Sequence, residues 1–265
     1  MAIRYEMQGQ VAVITMDRPE TRNAMDLAHY VALGEAWRRF QGAPQARVAI
    51  LTGAGESFCS GADLKDFIPT VTAMDRGEVD RSEMPEEILN WAIHKPPSDL
   101  VKPVVAAVNG FCVASGMEML LGTDIRVASE TASFAVPEVR RGLFCSGGST
   151  VRLPLQIPYV HAMDLLLTGR RITAAEALSM GLINRVVPPE KLMDAAIDYA
   201  HLLAANAPRA VRETKRSVLE ALGLHLAETY ARELEIGQGV FSHPDAQEGP
   251  VAFLEKRPPR WRDEA

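Results

Sequence analysis

Two glutamates occupy positions where apolar residues would be cheaper. Glu118 lies in 114-ASGMEMLLGTD-124 among methionines and leucines, and Glu138 follows a short β-like run and Pro137 in 132-ASFAVPEVRRGL-143, twenty positions on. Two carboxyl groups brought close in an apolar setting split in pKa, so that one keeps a proton while the other accepts one. That suits general acid-base chemistry. The bland alternatives are a buried Glu118 paired with Arg126, Arg140 or Arg141, and a cap-like or surface role for Glu138.

Two glycine-bearing turns offer a second kind of chemistry. The stretches 58-FCSGADLKDF-67 and 109-NGFCVASGME-118 both read as turns entering a helix, where the first amides lack internal partners and the dipole favours an anion. Facing each other, they would form an oxyanion hole. Taken alone, either glycine is only a turn requirement. The glycine pair of 144-FCSGGST-150 is a further candidate. The histidines (29, 94, 161, 201, 225 and 243) show no HxH or HExxH spacing, so no metal site is expected. Cys59 and Cys112 read as small buried hydrophobes, and Ser60, Ser115 and Ser149 lack a nucleophile elbow.

The elements that must position these residues follow from periodicity. Ile3 to Met7 and Val11 to Met16 alternate as a hairpin about Gly9, and Asp26 to Phe40 has helical spacing with Asp26 as its cap. Val48 to Thr52, 103-PVVAAVN-109, Asp124 to Ser129 and Ala132 to Val136 read as strands, and Ser115 to Leu121 as a helix. From 68 to 100 the pattern weakens into a variable segment. Beyond about residue 155 helical windows run over His161–Leu167, Ala174–Met180, Pro189–Asn206, Pro208–Ala221 and Leu224–Gln238, with one strand at Ile183–Val187. Strands alternating with helices predict an α/β core followed by helices.

The chain has 265 residues, 47% hydrophobic and 23% charged, with a formal charge of −6 and a pI near 5.6. This is ordinary globular composition, and the acidic balance makes a small molecule a better partner than nucleic acid. Three cysteines without CxxC spacing suit a reducing cytoplasm. The N-terminal stretch lacks the basic start and apolar core of a secretory signal. The most apolar window, 104–121, is broken by Asn109, Ser115 and Glu118, so no membrane span is expected.

Seven pieces in order, 17-DRPETRNAM-25, 58-FCSGADLKDF-67, 102-KPVVAAVNGFCVASGMEM-119, 134-FAVPEVRRGL-143, 147-GGSTVRL-153, 167-LTGRRITAAEALSMGLINRVVP-188 and 251-VAFLEKRPPRW-261, resemble the enoyl-CoA hydratase/isomerase (crotonase) superfamily. The match runs from about Tyr5 to Trp261 and is most like an enoyl-CoA hydratase. The resemblance implies a spiral core of β-β-α repeats over residues 1–200 and a C-terminal helical trimerisation region over 201–265. It also implies a homotrimer, or a hexamer built as a dimer of trimers. The substrate would be an acyl-CoA thioester, with coenzyme A arriving as part of it and no metal or redox cofactor.

By the same resemblance, the amides of Ala62 and Ser115 bind the thioester oxygen, Glu118 activates water, and Glu138 exchanges a proton with C2. Arg22, Ala24, Ser60, Asp63, Leu64, Phe253 and Lys256 match positions that contact CoA. The chain departs from the family at Ala114-Ser115-Gly116, where three glycines are usual, and at Cys145-Ser146, where many hydratases have Pro-Gly. Serine in the hole is expected to resist the backbone angles that glycine permits. Both glutamates being present favours hydration. The alternatives are an isomerase, a specialised hydroxyacyl-CoA dehydratase, or a non-catalytic CoA- or RNA-binding member.

Overall fold

Short strands alternate with helices along the chain. The computed structural model describes residues 3–75, 90–94, 100–141, 143–145, 147–222 and 255–262, with residues 78, 80, 85, 248 and 252 besides. Strands β1 (Ile3–Gln8) and β2 (Val11–Met16) pair antiparallel, with Gly9 at φ +60° in the turn. Helix α1 (Leu27–Gly42) follows, and Asp26 caps it by accepting from the His29 amide, as the sequence predicts.

Three times the chain then makes two strands and a helix. Strands β3 (Val48–Gly53) and β4 (Ser57–Cys59) lead to α2 (Phe67–Asp75), and β5 (Val104–Val108) and β6 (Phe111–Val113) lead to α3 (Ser115–Leu121). In the third, β7 (Ile125–Ser129) and β8 (Ser133–Ala135) lead through a 3-10 turn (Glu138–Arg141) to α4 (Ser149–Gln156) and α5 (Tyr159–Thr168). The first strand of each pair enters a six-stranded sheet, β1-β2-β3-β5-β7-β10, and the second enters a four-stranded sheet, β4-β6-β8-β9. The remaining elements are β9 (Ile172–Thr173), α6 (Ala174–Ser179), β10 (Arg185–Val187), α7 (Leu192–Ala204) and α8 (Pro208–Ala221). These are the β-β-α repeats that the resemblance implies.

Strand β5 explains why 103-PVVAAVN-109 lacks alternation. Successive side chains point to opposite faces of a sheet. Val104, Ala106 and Val108 join the large core, whereas Val105 and Ala107 join a second core with Ala195, Ala196, Ala200 and Ala204 of α7. Both faces are dry, so every position is apolar. Asp124 fixes the edge of this layer by accepting from the Val104 amide at 2.7 Å and from Lys215 of α8 at 2.8 Å.

Strands β4, β6 and β9, only two or three residues long, have no counterpart in the periodicity reading, and neither has α4. Three residues are too few to establish a period of two. Most of 76–99 and the helical window Leu224–Gln238 lie outside the described residues. Among the described residues no helix is long and apolar enough to cross a membrane.

Candidate active site

The first turn is shaped by the segment before α1. Arg22 and Asn23 take left-handed φ of 57° and 56°, which aims the Asn23 side chain inward. Its Nδ2 donates to Ala54 O at 3.0 Å and Ser57 O at 2.7 Å, and its Oδ1 accepts from the Arg18 amide. Met25 then brackets Ala62, donating to Gly61 O at 2.9 Å and accepting from the Asp63 amide at 2.8 Å. Among the described residues the Ala62 amide between them has no acceptor. Arg18 Nη1 ties the turn to α1 through Asp63 Oδ2 at 3.0 Å and Asp26 Oδ2 at 3.2 Å. The Lys65 amide, then Arg18, hold the Asp63 carboxyl below its usual range.

The second turn meets the first. A Cβ placed on Gly61, whose φ is +108°, would stand 2.9 Å from Ala114 Cβ and 3.8 Å from the Ser115 nitrogen. Glycine is therefore required at 61 both by its backbone angle and by this close approach. Ser115 opens α3, and its amide has no acceptor among the described residues.

The backbone strain expected at Ser115 sits one residue earlier. Ala114 has φ 52° and ψ −117°, a region that side chains resist at a cost of about 1–3 kcal/mol. Ser115 itself has begun the helix. Ala114 is held in this state by its amide bond to Ala135 O at 3.0 Å and by accepting from the Glu118 amide at 3.1 Å.

Every residue of α3 is buried, so Glu118 is fixed by its surroundings. Its Oε1 accepts from the Gly147 amide at 2.6 Å. Arg126, weighed above as its partner, instead commits its guanidinium to Thr123, Leu182 O and Gln156 Oε1. Glu138 begins the 3-10 turn, is 9% exposed, and has no hydrogen-bond partner on Oε2 among the described residues. Burial first, and then the Glu118 charge, push its carboxyl up to about 7. The two glutamates thus lie within electrostatic reach of each other.

Tyr30 and Cys145 also feel both charges, which makes them part of the same site. Tyr30 donates to Ser115 Oγ at 2.6 Å. The cysteines are free and buried, with Cys59 pushed up to about 12 and Cys145 to about 11, chiefly by burial. They stay protonated thiols, in keeping with the reading of Cys59 and Cys112 as small hydrophobes.

The structure joins some of the expected CoA contacts and not others. Ser60 donates from its amide to Arg22 O at 3.1 Å and from its hydroxyl to Thr21 O, and Ala24 O accepts from Arg18. Arg22, Ala24, Ser60, Asp63 and Leu64 therefore form one rim beside Ala62, with Arg22 and Leu64 exposed. Lys256 is exposed at φ 54°, and no described contact links it to that rim. Phe253 and Ser146 lie outside the described residues.

Sequence reasoning missed Tyr30, Arg18 and Asn23. Helical spacing marks Tyr30 only as a core position of α1. For Arg18 and Asn23 the sole signal is their place in 17-DRPETRNAM-25, because the partners that tie them to the first turn, Asp63, Ala54 and Ser57, lie 31 to 45 positions away.

The Ala62 and Ser115 amides have no acceptor among the described residues, and the Glu118 and Glu138 carboxyls are buried within electrostatic reach of each other. Residues 6–264 match the family model described as enoyl-CoA hydratase/isomerase. An enoyl-CoA hydratase of Mycobacterium tuberculosis is 44% identical over 97% of this chain and 95% of its own length. A carnitinyl-CoA dehydratase of Salmonella arizonae is 39% identical over 98% of both. The crystal structure of an enoyl-CoA hydratase from Mycobacterium marinum superimposes with a TM-score of 0.87 at 39% identity, covering 99% of each chain. With sequence and fold in agreement over nearly its whole length, the chain belongs to the enoyl-CoA hydratase/isomerase family of enzymes, the crotonases.

Proposed function

We propose that the protein is an enoyl-CoA hydratase-type lyase, adding water reversibly across the 2,3 double bond of an enoyl-CoA thioester. The observation that carries this reading is the pairing of Glu118, anchored by the Gly147 amide at 2.6 Å, with Glu138, whose carboxyl titrates at about 7. An ionised Glu118 removes a proton from water as its oxygen bonds to C3. A protonated Glu138 donates to C2 as the enolate collapses. The carboxyls finish with exchanged protonation and reset through solvent, so atoms and charge balance. The Ala62 and Ser115 amides hold the thioester oxygen, where negative charge develops; one such donor is worth roughly 3–4 kcal/mol.

Coenzyme A enters as part of the substrate, with the rim of Arg22, Ala24, Ser60, Asp63 and Leu64 as its first contacts and Phe253 and Lys256 as further ones. Phe144, Val151, Leu155, Tyr159 and Val160 are 57–72% exposed on α4, α5 and the segment before them. An apolar surface of this kind supports assembly with further copies, as a trimer or hexamer. Three unpaired cysteines support a reducing, cytoplasmic setting.

Dehydration of a specialised hydroxyacyl-CoA is the second reading, favoured by relatives named carnitinyl-CoA dehydratase. It uses the same groups in reverse. Incubation with crotonyl-CoA, following loss of the conjugated-thioester absorbance, tests the first reading. Glu118→Gln and Glu138→Gln should each lose at least about 100-fold in turnover while staying folded. No loss of absorbance with crotonyl-CoA, alongside gain with a 3-enoyl-CoA, would establish an isomerase instead.

A further inference from the structure

Ser115 has a side chain where the family usually has glycine, and that side chain is not idle. Its Oγ accepts from Tyr30 Oη at 2.6 Å across 85 positions of sequence. Both groups are buried, at 6% and 5% exposure. A hydroxyl carries one proton and two lone pairs. Accepting from Tyr30 fills one lone pair and leaves the Ser115 proton to be donated.

At the first position of α3 no helical carbonyl precedes Ser115, and among the described residues its Oγ donates to no acceptor. Its own backbone amide is equally without an acceptor. Both donors belong to one residue, whose nitrogen lies 3.8 Å from where a Cβ on Gly61 would stand.

We infer that the Ser115 hydroxyl is a third donor to the thioester oxygen, aimed by Tyr30. This rests on the acyl-CoA reading above and deepens it. Tyr30 acts as a positioning residue. It is carried on α1, and its ring packs on Phe67 with centroids 4.5 Å apart. Burial keeps its phenol protonated far above neutral pH, so the donor is permanent. A hydrogen bond received at Ser115 Oγ polarises the bond it gives, strengthening the donor in a low-dielectric site. The replacement of glycine by serine therefore adds to the hole, whereas the strain expected of it falls on Ala114.

The test separates this role from the simpler one in which Ser115 only satisfies a buried phenol. Butanoyl-CoA, labelled at its thioester carbonyl, cannot be hydrated and reports polarisation through its infrared stretching band. The bound band should lie below that of free butanoyl-CoA in the wild type and move back toward it in Ser115→Ala and Tyr30→Phe, with Ser115→Thr restoring it. On crotonyl-CoA, Ser115→Ala should lower kcat about 10- to 100-fold with KM within about twofold. The double variant should be no worse than Ser115→Ala alone, because both changes break one chain.

A band and kcat unchanged in Ser115→Ala, with only a lowered melting temperature, would overturn the inference and leave the acyl-CoA reading intact. Absence of butanoyl-CoA binding by the wild type would overturn both. A bound band that shifts as expected in an enzyme that fails to hydrate crotonyl-CoA would support the donor role and discard hydration.

Discussion

The amide of Gly147 donates to Glu118 Oε1 at 2.6 Å, joining the residue before the N-terminal turn of α4 to the centre of α3. A backbone N–H stabilises the ionised form of a carboxylate and fixes its direction. In the mechanism proposed above Glu118 would serve as the base and Glu138, with Oε2 unpartnered among the described residues and its carboxyl pushed up to about 7, as the acid. Identical side chains would then take opposite roles from different surroundings.

Gly147→Ala tests that relationship directly. A Cβ at 147 would land inside the Glu118 carboxylate, so the carboxylate must move. We expect a loss of about 100-fold or more in kcat on crotonyl-CoA, with little change in far-UV circular dichroism. Retention of full turnover would remove the Gly147–Glu118 contact from the mechanism.

The pH profile should follow the pair. Hydration needs one proton shared between Glu118 and Glu138, and dehydration needs the same single proton. With Glu138 titrating at about 7, kcat/KM in both directions should fall tenfold per pH unit above that value. Steady-state rates measured in both directions from about pH 5 to about pH 9 would show this limb. A flat profile across neutrality would contradict it.

Glu138 should also make stability depend on pH. Its carboxyl is raised from 4.5 to about 7 in the folded chain, so between those values the native state holds a proton that the unfolded state has lost. Stability therefore falls as pH rises through that window and levels off above it. After allowance for partial solvation the fall should be ~1–2 kcal/mol. Glu138→Gln should abolish it, so urea midpoints of variant and wild type should diverge with rising pH. Parallel midpoints would mean that Glu138 titrates normally.

Ala114→Gly should stabilise the protein. The residue holds φ 52° and ψ −117°, which glycine adopts without steric penalty. A gain of about 1 kcal/mol is expected after the extra chain entropy of glycine is subtracted, read as a higher melting temperature. A loss of stability would show that Ala114 Cβ contributes more by packing near Gly61 than it loses in strain.

Much of the fold was legible because its cues are local. The hairpin about Gly9, the Asp26 cap and the two-faced burial of β5 each follow from a few adjacent residues. Strands β4 and β6 were not legible, because three residues establish no period. They exist through pairing with neighbours, Ser57 with Phe111 and Phe111 with Ser133.

By itself the sequence determined the alternation of strands and helices, the presence of two glutamates and two glycine turns and, through its motifs in order, the resemblance that implied the β-β-α repeats, since residue types and their order along the chain carry these. Only the tertiary structure decided which groups meet. Gly147 reaches Glu118 across 29 positions and Tyr30 reaches Ser115 across 85, and no local pattern encodes contacts at such separations. The displacement of strain from Ser115 to Ala114 and the rise of the Glu138 carboxyl to about 7 have the same origin. Backbone angles at a packed turn and the solvation of a carboxyl are set by what surrounds them in three dimensions.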